Sequence, residues 1–167
     1  MIRPDGVAWV ARHTEFFTLV GGLLSVIDPT QYTAGMTSLQ WLADNSSLVG
    51  KGSHLPAILE VWNIPLSVVT IINNRETPTH RDAGGTNEMF DILMALGTYR
   101  LGTLQVPGLG IELHYCPGVM VALTSKVLLH GAHFEGDRSC IVFHSKANVL
   151  EYVGARVEWV NIYTDFS

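Results

Sequence analysis

His80, Asp82, His130 and Arg138 have the side-chain types and spacing of a reaction centre. His80 and Asp82 form an H-x-D pair between Thr77-Pro78 and Ala83-Gly84-Gly85. On an extended segment residues two apart point the same way, so this imidazole and carboxylate can take adjacent corners of one metal ion. His130 lies 50 residues further on, before Gly131 and at the end of a strand expected over Lys126–Leu129. Two histidines and one carboxylate on a single face leave metal positions open, the donor set of non-haem Fe(II) oxygenases. Arg138 follows His130 by eight residues, after a Glu135-Gly136-Asp137 turn. A guanidinium is always charged and grips a carboxylate through two parallel hydrogen bonds, which suits the far end of a dicarboxylate. The combination points to Fe(II) with 2-oxoglutarate, bound by its 2-oxo and C1 carboxylate oxygens at the metal and by its C5 carboxylate at Arg138. Dioxygen is then the remaining reactant.

Each residue also has a plainer reading. A single histidine at a strand end is more often a hydrogen-bonded structural group. Asp82 can cap the Ala83-Gly84-Gly85 turn, and Arg138 can pair with Asp137 or Glu135 on the surface for little gain. All four at this spacing favour the metal site. His133 stands three residues from His130 and can replace it if the strand ends later. His114 and His144 lie within expected strands, while His13 and His54 are expected at the surface.

The elements that must position these groups change character along the chain. Up to about residue 52 the pattern is helical: Val7, Val10 and Ala11, then Phe17, Val20, Leu23, Leu24 and Ile27, recur at three- and four-residue spacing. Asp28-Pro29 reads as an N-cap followed by Pro at the first helical position. A second helix is expected over Pro29–Ala43, marked by Met36, Leu39, Gln40 and Leu42, and a loop at Gly50-Lys51-Gly52-Ser53. From about residue 55 the period is that of strands. These are expected at Ile58–Asn63, Leu66–Asn73, Phe90–Leu96, Gly110–Tyr115, Val119–Leu123, Lys126–Leu129, Cys140–Phe143 and Arg156–Tyr163. Short strands after a helical lead-in predict an α+β, mostly β, fold: a double-stranded β-helix (jelly roll) core with N-terminal helices packed on one sheet. A single domain over 1–167 is expected, with a helical lead-in at 1–52 and the core at 55–163.

The sequence then resembles the fungal branch of the TET/JBP dioxygenases. The resemblance rests on Thr79-His80-Arg81-Asp82-Ala83-Gly84-Gly85, Phe90-Asp91-Ile92-Leu93, Leu96-Gly97-Thr98-Tyr99 and Gly102-Thr103-Leu104. It continues through Val106-Pro107-Gly108-Leu109-Gly110-Ile111, Tyr115-Cys116-Pro117-Gly118, Val121-Ala122-Leu123, Leu129-His130-Gly131 and Gly136-Asp137-Arg138-Ser139-Cys140, about residues 55 to 154 in all. It implies a double-stranded β-helix that oxidises a methyl group with Fe(II), 2-oxoglutarate and dioxygen, releasing succinate and carbon dioxide. In the family the methyl belongs to a base in nucleic acid, typically 5-methylcytosine or thymine, flipped out of the duplex. His80, Asp82 and His130 fall on the family's metal-ligand positions and Arg138 on its co-substrate position. The family often carries a hydroxyl residue two after that arginine, where this chain has Cys140. Asn73 or Asn74, at the end of the strand leading to His80, can face the same pocket or form a turn.

Charge bears on the substrate. The 167 residues carry 10 Lys and Arg against 15 Asp and Glu, a net charge of −5. No two basic residues are adjacent, which excludes a basic import run and disfavours a purely electrostatic nucleic-acid binder. A nucleic acid carrying a methylated base would need a local patch such as Arg75, Arg81 and Arg100. Tyr99, Phe134 and Phe143 are available for stacking but on strands are more often core. An oxygenase acting on a small molecule or protein side chain is the alternative, as is a non-catalytic jelly roll stabilised by metal. At 47% hydrophobic and 15% charged the chain is not a disordered one. Cys116 and Cys140 are expected as buried, reduced thiols. Asp5, Arg12, His13 and Glu15 interrupt any signal-peptide core, and the longest apolar run, Leu19–Ile27, is far short of a bilayer span. The expected setting is intracellular without membrane, and nuclear if the substrate is chromosomal DNA.

Overall fold

The computed structural model describes residues 4–48 and 54–155, so the loop expected at 50–53 and the strand expected at Arg156–Tyr163 lie largely or wholly outside the described residues. The chain forms two compact units, one of residues 1–65 with 148–167 and one of residues 66–147.

The first unit is helical: α1 (Pro4–Arg12), α2 (Thr14–Ile27), α3 (Pro29–Asp44), α4 (Leu55–Leu59) and most of α5 (Ala147–Val153). Asp28 caps α3 as its sequence predicts, accepting the Gln31 amide at 2.9 Å with Pro29 in the first turn. The buried face of α2 is Phe17, Val20, Gly21 and Leu24. That of α3 is Gln31, Ala34, Gly35 and Ser38, small and polar, while the expected marker Met36 is exposed. Close approach explains the choice, because a Cβ on Gly35 would stand 2.0 Å from the Pro65 carbonyl oxygen. Phe17 packs edge-on against Trp9 and Trp62, with ring centroids 5.9 and 5.6 Å away. Among the described residues no single helix is long and apolar enough to cross a membrane; α1 and α2 are bent by 66°.

The second unit is a jelly roll of two four-stranded antiparallel sheets. One sheet has the order β1 (Val68–Asn73), β8 (Arg138–His144), β3 (Asp91–Gly97), β6 (Met120–Leu123). The other has the order β2 (Thr77–His80), β7 (His130–Glu135), β4 (Arg100–Val106), β5 (Ile111–His114). Alternate residues of each strand enter one core, with Leu93, Ala95, Leu104, Val106, Phe134, Cys140 and Val142 among them. Tyr99, Phe134 and Phe143 are all buried. The fold is therefore α+β and mostly β, with corrections to individual elements. Ile58–Asn63 is not a strand: Pro56 opens the short helix α4 across its start. Lys126–Leu129 is not a strand either, since the Val127 and Leu128 amides both turn back onto the Thr124 carbonyl. His130 therefore opens a strand rather than ending one. The second sheet was poorly legible because Thr77–His80 and His130–Glu135 lack runs of Val and Ile. Cys116 is exposed in the turn between β5 and β6, Cys140 is buried, and both are free.

Candidate active site

The antiparallel pairing of β2 with β7 places His80 directly opposite His130, with ring centroids 4.5 Å apart. Asp82 follows two residues later, its amide tied to the Ser125 carbonyl at 3.1 Å, while Arg81 Nε donates to the Val127 carbonyl at 2.8 Å. These bonds pin the H-x-D segment to the turn that leads into His130. Ligand atoms of His80, Asp82 and His130 all lie within 4.8 Å of one another, the only such group of three among the described residues.

The hydrogen bonds settle which imidazole nitrogens are offered. His80 Nδ1 lies 2.9 Å from the Pro78 carbonyl oxygen and His130 Nδ1 lies 3.0 Å from that of Leu128. A carbonyl can only accept, so both Nδ1 atoms carry the proton and both Nε2 lone pairs face the cluster. This is the outer support that metal-binding histidines use. His80 Nε2 is then 3.2 Å from Asp82 Oδ1. A bare lone pair against a carboxylate oxygen at that distance needs either a proton on Nε2 or a cation between the two, and the two imidazoles with one carboxylate are a donor set that fits a divalent metal.

A cavity runs inward from this cluster. It is lined by His80, Asp82 and His130 at one end, by Leu93, Leu104 and Val142 along its walls, and by Cys140 and Arg138 beyond them. Arg138 is 5% exposed, and its guanidinium carbon sits 5.1 Å from the Tyr115 ring centre and 5.2 Å from that of Phe134. Its Nε has no hydrogen-bond partner, and no carboxylate pairs with it among the described residues. Neither Asp137 nor Glu135 takes the surface pairing that their proximity in sequence allows. A buried cation with an orphaned donor at the closed end of a cavity fits an anionic ligand.

The structure does not bring Asn74 into this cavity. Asn74 has a left-handed backbone (φ 47°) and works from outside the wall. Its Oδ1 accepts the Arg138 amide at 2.7 Å, its amide donates to the Arg138 carbonyl at 2.7 Å, and its Nδ2 donates to Asp137 Oδ1 at 2.9 Å. Asn73 accepts from Ser139 Oγ at 2.8 Å. Cys140 does line the cavity, and burial pushes its thiol pKa up.

An outer cavity of about 230 Å³ shares Ile72, Asp82 and Val142 with the inner one and adds Thr70, Gly84, Gly85, Asp91, His144 and Lys146. Sequence reasoning did not single out Asp91 or Lys146; the signal for Asp91 was an acid opening an apolar strand. Asp91 is 5% exposed and hydrogen-bonded by Ser125, and burial raises its pKa to about 6. His144, 3.3 Å from Thr70 Oγ1, is held below its ordinary value by burial. His133 points away from the cluster, on the exposed face of β7, 3.5 Å from Glu76. His114 is exposed at the end of β5, and His13 bonds the Trp9 carbonyl.

The basic residues do not form the patch expected from sequence. Arg81 stands at the metal end, but Arg100 pairs with Glu135, about 17 Å of strand away from His130. Arg75 precedes β2 at its end remote from His80. Lys126 and Lys146 join Arg81 instead: Lys126 Nζ donates to the Gly85 carbonyl at 2.9 Å, and Lys146 lines the outer cavity with Gly84 and Gly85.

Comparison with known proteins gives two findings. Residues 9–147 match the family Tet_JBP, the oxygenase domain of the 2OGFeDO superfamily. The fold is similar to that of NgTET1 in complex with 5mC DNA, with a TM-score of 0.60 and 13% identity over 88% of this chain. The chain spans about half, 53%, of that relative's length, and at this identity the likeness bears on the fold. No curated protein matches the chain in sequence.

Proposed function

The chain belongs to the TET/JBP family of 2-oxoglutarate and Fe(II) oxygenase domains, and from that premise we propose that it oxidises a methyl group, with 5-methylcytosine or another methylated base in nucleic acid as the favoured substrate. Fe(II), when bound, supplies the oxidising chemistry: dioxygen and 2-oxoglutarate are consumed, succinate and carbon dioxide leave, and a C–H bond becomes C–OH. His80, His130 and Asp82 would hold the metal, the histidines through Nε2. Arg138 pairs with the far carboxylate of 2-oxoglutarate, while Leu93, Leu104 and Val142 keep water from the space between. Asn74 fixes the backbone from which Arg138 projects. The observation that carries this reading is the unpaired, buried Arg138 at one end of a cavity whose other end is the His-Asp-His cluster.

The outer cavity is where a substrate methyl group can approach Asp82 and its partners. Arg81, Lys126 and Lys146 gather around the Asp82–Gly85 loop and support the nucleic-acid reading, because phosphate contacts need clustered cations. The net charge of −5 and the buried acid Asp91 favour a small-molecule or protein side-chain substrate instead. Succinate release with Fe(II), 2-oxoglutarate and oligonucleotides, methylated against unmethylated and single- against double-stranded, separates the two. Stimulation by the methylated strand alone is expected; equal background release with every oligonucleotide would sink the methylated-base reading. A nuclear location follows only if the substrate is chromosomal.

A further inference from the structure

A carboxylate offers about four lone-pair sites, more than the two that one guanidinium edge fills, and the position two after Arg138 is Cys140, whose thiol is a weak donor. Two tyrosine hydroxyls lie near the same cation. That of Tyr99 is committed, since it donates to the Tyr115 carbonyl. That of Tyr115 accepts from the Arg138 guanidinium, and its own proton meets only the weak acceptor Cys140 Sγ, 3.5 Å away. Tyr115 is 1% exposed and stands directly behind the cavity wall, its ring against the Arg138 guanidinium and its hydroxyl against Cys140, both of which line the cavity. Its place is enforced from behind: a Cβ on Gly102 would meet both the Tyr115 carbonyl and the Tyr99 ring at 2.3 Å, so the chain can close around this pair only with glycine there. Arg138 is a donor-only group and leaves the Tyr115 proton free for an acceptor. Burial, then the neighbouring thiol, push the Tyr115 pKa up, so the group stays protonated and able to donate.

Resting on the 2-oxoglutarate reading above, we infer that the Tyr115 hydroxyl, beside Cys140, is the second donor to the far carboxylate of the co-substrate, next to Arg138. On binding, its hydrogen bond exchanges a thiol sulfur for a carboxylate oxygen, a stronger partner. Tyr115 thus supplies from β5's end what a hydroxyl residue at position 140 would supply from β8.

The test is thermal melting of the full chain with Mn(II), titrated with N-oxalylglycine, which carries the far carboxylate, and with oxalate, which lacks it. Tyr115→Phe removes the hydroxyl and keeps the ring; it is expected to weaken N-oxalylglycine about tenfold and leave oxalate and Mn(II) unchanged. Adding Cys140→Ser, which puts a hydroxyl on the cavity wall, is expected to recover the affinity. Equal losses for both ligands would make Tyr115 a support of the fold around the metal, and an unchanged N-oxalylglycine affinity would mean that it donates nothing. Either result overturns the assignment. If wild type binds N-oxalylglycine no better than oxalate, the 2-oxoglutarate reading itself fails, a result distinct from the other two.

Discussion

At the mouth of the cavity two of the three reactive groups, His80 and Asp82, are partly exposed and the histidines are oriented by backbone carbonyls, whereas at its closed end a single cation is buried and oriented by side chains. His80 and Asp82 are half-buried, and both histidines lean on carbonyls two residues upstream. Arg138 instead sits between two aromatic rings, with Asn74 holding its backbone from outside. The mouth presents ready-made lone pairs, at little folding cost, because its polar groups keep contact with water or with each other. The closed end stores a charge with no carboxylate beside it among the described residues and one orphaned donor, and that costs stability until an anion arrives.

Breaking the mouth has the largest effect. Asp82→Ala is expected to lower succinate release by about a thousandfold or more and to remove the rise in melting temperature given by Mn(II). Full release by that variant would show that the cluster holds no working metal. Breaking the closed end separates function from stability. Arg138→Met is expected to weaken N-oxalylglycine about a hundredfold, yet to raise the melting temperature of the ligand-free protein, since an apolar side chain of similar length replaces an uncompensated charge. A lower melting temperature without ligand would mean that the aromatic contacts more than offset burial.

Asn74→Ala tests the support behind the arginine. Alanine at φ 47° is strained and two side-chain hydrogen bonds are lost, together about 2 kcal/mol of stability, with a smaller fall in N-oxalylglycine affinity than Arg138→Met gives. Melting at the wild-type temperature would remove Asn74 from the account. The last effect returns to the mouth and depends on pH. The Asp91 carboxyl titrates near 6 in the folded protein against 3.8 unfolded, so it favours folding fully below pH 4 and loses that contribution as pH rises through about 6. Asp91→Asn, which retains an acceptor for Ser125, is expected to match wild type at pH 4 and to exceed it by about 2–3 kcal/mol above pH 7. Parallel melting curves across that range would show that the Asp91 carboxyl is not the group whose pKa is raised.

The same contrast governs what could be read from the chain. The H-x-D pair was visible because two-residue spacing, here from the last residue of β2 into the segment after it, is local geometry. The strand before His130 was misplaced, since Lys-Val-Leu-Leu reads as extended while the Thr124 carbonyl captures it as a turn. The pairing of His80 with His130 still follows, because it depends on β7 starting there, and Gly131 with Ala132 offers no apolar run to announce that strand. In the helical unit the apolar marks on α3 identified a helix but not its buried face, which close approach to Pro65 reserves for small residues.

By itself the sequence determined the family, the mostly-β jelly roll after a helical lead-in, and the residue types able to hold a metal and a dicarboxylate, because motif spacing and period are properties of neighbours along the chain. Tertiary structure alone decided that Arg138 lacks a carboxylate partner, that Tyr115 meets Cys140 across 25 residues of sequence, and that Lys126 and Lys146, not Arg75 and Arg100, stand with Arg81. Those relations depend on strand register and burial, which set distances between residues that no local spacing connects.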